Sequence, residues 1–416
     1  MKRRICSVFL SLAMLLSLPG CATASAVAAE DLMKGVTATP VFTDADWLER
    51  EECAEALTGF SVELFQNSVK GGENTLVSPL SVLSALAMTA NGAGGETLTQ
   101  MEAAFGLPMD QLNEYLRAYR AALANTEKAK LHIANSIWFK DTESFAVGRD
   151  FLQTNADYYG AGAYKGPFDD TTRDDINNWV KENTDGMIPA ILDNIPGDAV
   201  MYLVNALAFD AEWADPYKES QVRAGTFTTE DCAAQDVKLM WSEESDYVRD
   251  ELAQGFIRPY AGGNYSFVAL LPNEGVTVAE YVASLTGEGL AKLLGAARSV
   301  PVDAALPKFE AEYGVEMSEI LRNMGMTDAF DSNRADLSGL GSSTEGNLYI
   351  SRVLHKTYIS VDEKGTKAAA VTAVEVVPEC APIEERYSVI LDRPFVYFIV
   401  DQQTKLPIFM GTVMKI

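Results

Sequence analysis

Side-chain chemistry in this chain would have to start from few groups. The 416 residues include two histidines, His132 and His355, five cysteines, Cys6, Cys21, Cys53, Cys232 and Cys380, and 59 carboxylates. Metal-assisted or nucleophilic catalysis needs such groups at fixed spacings, and the sequence has no HExxH, CxxC pair, Walker loop or GxSxG turn. The run Asn91-Gly92-Ala93-Gly94-Gly95 follows an apolar helical stretch, so it reads as a helix stop rather than a phosphate loop. His132, within Leu131-His132-Ile133-Ala134, reads as a satisfied core group. No spacing singles out two carboxylates as an acid/base pair. An enzyme is therefore not expected, and no cofactor or metal ion is implied.

What the sequence does offer is a segment that could change partners. From Thr366 to Val377 it is rich in small and β-branched residues, and Pro378 and Pro382 then bar a central strand. In extended conformation one face carries Thr366, Ala368, Ala370, Thr372, Val374 and Val376. The other carries Lys367, Ala369, Val371, Ala373, Glu375 and Val377. Both charges share the second face, so the first could be buried, whereas a one-residue slip would bury Lys367 and Glu375. An ordinary strand of a finished sheet explains the alternation equally well.

The elements around this segment form one domain. No Pro-, Gly- or Ser-rich stretch divides the chain after about residue 45, and no repeat period is visible. With 48% hydrophobic residues the chain can bury a large core. At the N-terminus, Lys2, Arg3 and Arg4 precede an apolar run over residues 5–18, which reads as a signal peptide, residues 1–20. Leu18-Pro19-Gly20-Cys21 is similar to a bacterial lipobox, with Cys21 as the lipidated residue and 21–45 as tether; Pro19 is unusual there. The alternative is ordinary cleavage among the small residues 22–29. Residues 46–416 are then a single domain, extracytoplasmic and either held at the cell surface by lipid or secreted. Losing residues 1–20 removes three basic and no acidic residues, leaving 30 against 59 and a net charge of −29. That sign argues against nucleic acid and polyanions. Three scattered cysteines in the mature chain are no disulfide scaffold.

Residues 363–373, Glu-Lys-Gly-Thr-Lys-Ala-Ala-Ala-Val-Thr-Ala, closely resemble the reactive-loop hinge of inhibitory serpins. The resemblance runs along nearly the whole mature chain. It takes in Val77-Ser78-Pro79-Leu80-Ser81, Ala134-Asn135-Ser136-Ile137-Trp138, Leu203-Val204-Asn205-Ala206 through Trp213, and Leu306-Pro307-Lys308-Phe309. Gly325-Met326-Thr327-Asp328-Ala329-Phe330, Ala335-Asp336-Leu337-Ser338-Gly339, His355-Lys356, Asp392-Arg393-Pro394-Phe395 and Phe409-Met410-Gly411 complete it.

The resemblance implies an α+β fold of three β-sheets and eight or nine helices with an exposed reactive-centre loop. It implies an inhibitor that traps an endopeptidase, serine or cysteine, as a covalent acyl-enzyme when the cut loop enters the main sheet. The partner is then a protease and the protein a monomer; a non-inhibitory chaperone or carrier is the alternative. The hinge comprises Glu363, Gly365, Thr366, Ala368, Ala369 and Ala370; it is free of Pro, and Thr366 and Ala368 to Ala370 carry no bulk or charge on the buried side, as insertion demands. Lys367 departs from the family, which usually has Glu there. Ser78, Ser81, Asn205 and His355 are implied to meet beneath the main sheet where it opens. Counting from Glu363 puts the reactive bond at Glu379–Cys380, suited to a glutamate-specific protease. A segment from Cys380 to Pro394 longer than in familiar members leaves Val377, Cys380 or Arg386 as other cut sites.

Overall fold

A computed structural model describes residues 29–40, 44–123, 125–344, 347–366 and 386–416. Cys21, Lys367, Ala368, Ala369, Ala370, Glu379 and Cys380 lie outside them. The described residues form nine α-helices and three sheets, of seven, nine and two strands. The α+β class, the three sheets and the nine helices agree with what the resemblance implied.

The main sheet is organised around the strand Met201–Glu212, whose residues 201–209 are all buried. Its sequence, a nearly unbroken apolar run, suits a strand covered on both faces. On one side the strand Ala129–Lys140 pairs antiparallel with it, followed by Gly162–Gly166 and the short edge strand Glu30–Asp31. On the other side Arg352–Val361 runs parallel to it from Arg352↔Tyr202 to Tyr358↔Ala208, and Phe309–Glu316 closes the sheet antiparallel to that strand. At one end only, Gly365–Thr366 is wedged between the two parallel strands and antiparallel to both.

Beneath the sheet lies the helix Pro79–Ala90. It is buried along its whole length, as an all-round apolar helix must be, and Pro79 opens it where the missing N–H costs nothing. The nine-stranded sheet carries Tyr387–Ile390 at its edge, parallel to Arg298–Pro307. Residues 367–385 therefore connect the wedge in one sheet to the edge of the other. Between the sheets, Phe209 meets Tyr260, Tyr265 and Phe409 edge-on in an aromatic core.

The segment read as a tether, 21–45, is fixed to the domain over part of its length. Glu30 and Asp31 pair with Lys165 and Tyr164, and Thr39 N donates to Asp157 Oδ1 at 2.6 Å. The physical reason is the open edge of Gly162–Gly166, whose unpaired backbone groups take a strand from the nearest chain.

Candidate functional site

The hinge begins as a turn organised by Asp362. Its Oδ1 accepts from the N–H groups of Lys364 at 2.7 Å and Gly365 at 3.2 Å. Gly365 then enters between the parallel strands so closely that a Cβ there would stand 2.1 Å from the Ala211 carbonyl oxygen. No other residue fits. Thr366 follows, fully buried, with its Oγ1 hydrogen-bonded to Tyr260 Oη at 2.6 Å. Glu363 stays near the surface in an ion pair with Lys308. Burial raises its carboxyl pKa, but the Lys308 hydrogen bond and charge outweigh that and hold it below the usual range.

A second segment grips this turn from outside. Trp213 N donates to Lys364 O, Trp213 Nε1 to Asp362 O and Tyr217 N to Glu363 O, all at 2.8 Å. The Trp213 ring stacks on Tyr260 with centroids 4.5 Å apart. The grip is held in turn by Arg258, which donates to the Asp215 carbonyl and to Glu244 Oε1. Its guanidinium lies 3.9 Å from the Tyr217 ring centroid and 5.0 Å from that of Trp213. Both Arg258 and Glu244 have side chains only 6% exposed, so their charges are compensated by each other rather than by water.

Midway along the sheet, Asn135, Asn205 and His355 stand in register on three strands, Asn205 opposite both of the others. The backbone N–H of Ser78 donates to His355 Nε2 at 3.2 Å, so that nitrogen is an acceptor and the proton sits on Nδ1. Nδ1–H then donates to Asn205 Oδ1 at 2.5 Å. Asn205 Nδ2 donates to Ser81 Oγ and, at 2.6 Å, to Asn135 Oδ1. The four residues expected together are thus in contact, but Ser78 takes part through its backbone; its own hydroxyl is buried without a partner among the described residues. Burial lowers the His355 pKa to about 3, which keeps the ring neutral.

Asn135, Tyr260, Arg258 and Glu244 were not singled out as functional by sequence reasoning. Trp213 and Asn135 lie within family motifs, whereas the contacts of Tyr260, Arg258 and Glu244 join residues far apart in the chain and leave no local pattern. Among the described residues no cluster of His, Cys, Asp and Glu is placed to hold a metal ion. Cys53 is buried and Cys232 exposed, both as free thiols.

A sequence model described as serpin (serine protease inhibitor) matches residues 55–416. Serpin B9 of Homo sapiens is 32% identical over 352 residues, 81% of this chain and 92% of its own. Leukocyte elastase inhibitor A of Mus musculus is 30% identical over 387 residues, 87% of this chain and 99% of its own. Among solved structures, the thermophilic serpin tengpin in its native state is 50% identical and superposes with a TM-score of 0.90, covering 94% of this chain and all of tengpin. Tengpin in its latent state, 47% identical across 91% of this chain and all of its own, gives 0.79.

Two predictions follow from this geometry. The folded His355 binds a proton only near pH 3, whereas the unfolded one does so near pH 6.5. Its contribution to stability is therefore complete above about pH 6.5 and is lost as pH falls towards 3, at up to about 1.4 kcal/mol per pH unit. Urea unfolding from pH 7 to 4 should show a shallower decline for His355→Asn than for wild type; parallel curves would count against the buried neutral ring. Second, Arg258→Met strands Glu244 and should cost about 3–5 kcal/mol, most of it recovered when Glu244→Leu is added. Guanidinium midpoints measure both, and equal losses in the single and double variants would mean that the charge pair is not what holds the grip.

Proposed function

The chain belongs to the serpin family, and from that premise we propose that it inhibits an endopeptidase as a suicide substrate, offering the segment after Thr366 as bait and then inserting it into the main sheet. Members of the family are protease inhibitors rather than catalysts, though some do not inhibit. The observation that carries the reading is the wedge: Gly365 and Thr366 already occupy one end of a slot whose walls are parallel strands in direct contact. An antiparallel strand between those walls replaces one parallel ladder by two antiparallel ones, which pair slightly better per residue.

The register supports the same reading. Continued one residue at a time from Thr366↔Ala211 and Thr366↔Val361, it sets Thr372 opposite both Asn205 and His355. Those two must part when a strand enters, and a hydroxyl that both donates and accepts can re-pair them. The same register sets Lys367 opposite Asp210 and Glu375 opposite Arg352, so each charge of the outward face meets its opposite. Lys367, unusual for the family, is thus matched by this chain's own Asp210.

Glu379–Cys380 remains the bond that the count favours. Cutting after Val377 would suit an elastase-like enzyme, and one relative is named for inhibiting leukocyte elastase. Export with lipid at Cys21 would place the inhibitor outside the cytoplasmic membrane, and the mass of the mature N-terminus distinguishes that from ordinary secretion.

Incubation with a panel of endopeptidases, followed by denaturing electrophoresis, tests the mechanism. Wild type should leave a covalent band of summed mass, and the released C-terminal peptide should begin at Cys380. Thr366→Arg buries an unpaired charge in the seat below Tyr260 and should be cut without leaving that band. A wild type that is cut without a covalent product would be a non-inhibitory serpin, and an undiminished band for Thr366→Arg would discard the inserting face. Cleavage should also raise the melting temperature. Thr372→Val should remove about 1–3 kcal/mol from the stability of the cleaved form, with Thr372→Ser restoring it; an unchanged cleaved Thr372→Val would show that the register does not continue.

A further inference from the structure

At Ala29 the backbone meets a buried carboxylate. The Ala29 N–H donates to Asp175 Oδ2 at 2.9 Å. Asp175 stands on the helix Asp170–Asn183, whose Ile176 and Val180 share an apolar cluster with Trp138 and Val204 of the main sheet, and it is only 7% exposed. Ala29 is equally buried and belongs to the same cluster. The residues that follow hold it there. Glu30 and Asp31 pair with Lys165 and Tyr164, and Leu32 N donates to Ala163 O at 2.9 Å. A backbone nitrogen is thus delivered to an acid inside the fold, 146 positions away in sequence.

The sequence before Ala29 reads as a leader with more than one place to be cut. The A-x-A pattern that precedes a cleavage site occurs as Ala22-Thr23-Ala24, Ala24-Ser25-Ala26 and Ala26-Val27-Ala28, for starts at Ser25, Val27 or Ala29. Leaders of 24, 26 or 28 residues are all of ordinary length, so the pattern by itself does not choose among them. The buried acid does. Of the three starts, only Ala29 puts the new terminus on an atom that already faces Asp175.

The change at that atom is chemical rather than positional. An amide N–H offers a carboxylate one donor and no charge. An α-ammonium offers three donors and a full positive charge, and it is the ordinary form of a chain terminus at neutral pH. Charge-assisted hydrogen bonds are about twice as strong as neutral ones, and a low-dielectric surrounding strengthens them further.

We propose that the leader is cut between Ala28 and Ala29, and that the freed α-ammonium of Ala29 forms a buried ion pair with Asp175, tying the start of the mature chain to the helix over the main sheet. Water adds across the Ala28–Ala29 amide: its oxygen ends in the carboxylate of the leader, and the Ala29 nitrogen leaves as an amine that takes up a proton. A lipidated Cys21 would keep residues 21–28 on the mature chain, so this processing excludes the lipid anchor and selects ordinary secretion.

Two measurements test it. Intact mass and N-terminal sequencing of the full chain after export from a bacterial cell should give a start at Ala29; a lipid-bearing start at Cys21, or one at Ser25 or Val27, would overturn the cut site. Urea unfolding then compares the mature chain with a version that retains Ala28, in which the Ala29 nitrogen is still an amide N–H. The start at Ala29 should fold with an equilibrium constant about fivefold or more higher. Asp175→Asn should abolish or reverse that advantage, since Asn still accepts from an N–H but leaves the ammonium without its counter-charge. Equal stability of the two starts with Asp175 in place, or an advantage that survives Asp175→Asn, would overturn the ion pair. No target protease enters either measurement, so their failure leaves the inhibitor reading as it stands.

Discussion

The hydrogen bond from His355 Nδ1 to Asn205 Oδ1 crosses the boundary between two parallel strands that another strand could separate. Much of the molecule is arranged around that bond. Buried polar groups demand partners, so the helix beneath supplies the Ser78 N–H to the other ring nitrogen and the Ser81 hydroxyl to the Asn205 amide. An apolar core at this level would be closed by close packing and could not be reopened without loss. A hydrogen-bonded one can exchange partners, provided that whatever enters offers a donor and an acceptor at the same height.

On the proposed mechanism the slot would open from the end that the wedge already holds apart. Gly365 and Thr366 have already separated the strand ends, so further entry lengthens an existing ladder rather than nucleating a new one. Their position depends on the segment from Trp213 to Tyr217, which takes three successive backbone carbonyls of the turn. That segment depends on Arg258 and Glu244. A buried ion pair adds little net stability compared with apolar residues of the same shape. Here it joins a backbone carbonyl and two aromatic rings to one cation, so its contribution is to the placement of the turn.

Charge follows a similar logic. The chain is strongly acidic, with 59 acidic against 33 basic residues, yet the cations at both ends of the connecting segment are committed to particular acids: Lys308 to Glu363, Arg258 to Glu244 and Arg386 to Asp303 and Glu243. Arg386 fixes the chain just where it rejoins the second sheet beside Arg298–Pro307. Both ends of the connecting segment are therefore held by ion pairs, in two different sheets.

Sequence by itself determined the family, the α+β class and the order of motifs, because these depend on local pattern: the apolar run at 201–209, the proline-opened helix at Pro79, and the small, alternating residues from Thr366. It also brought Ser78, Ser81, Asn205 and His355 together, through resemblance rather than spacing. Only the tertiary structure decided that Ser78 acts through its backbone, that Thr366 is already seated against Tyr260, and that Arg258 and Glu244 hold the grip on the hinge. It alone showed residues 30 and 31 completing a sheet edge, and His132 Nε2 standing 3.4 Å from Asp185. The physical reason is the same in each case. A hydrogen bond or ion pair between residues a hundred or more positions apart is fixed by where strands and helices come to rest, and neither partner carries a mark of the other in its own neighbourhood.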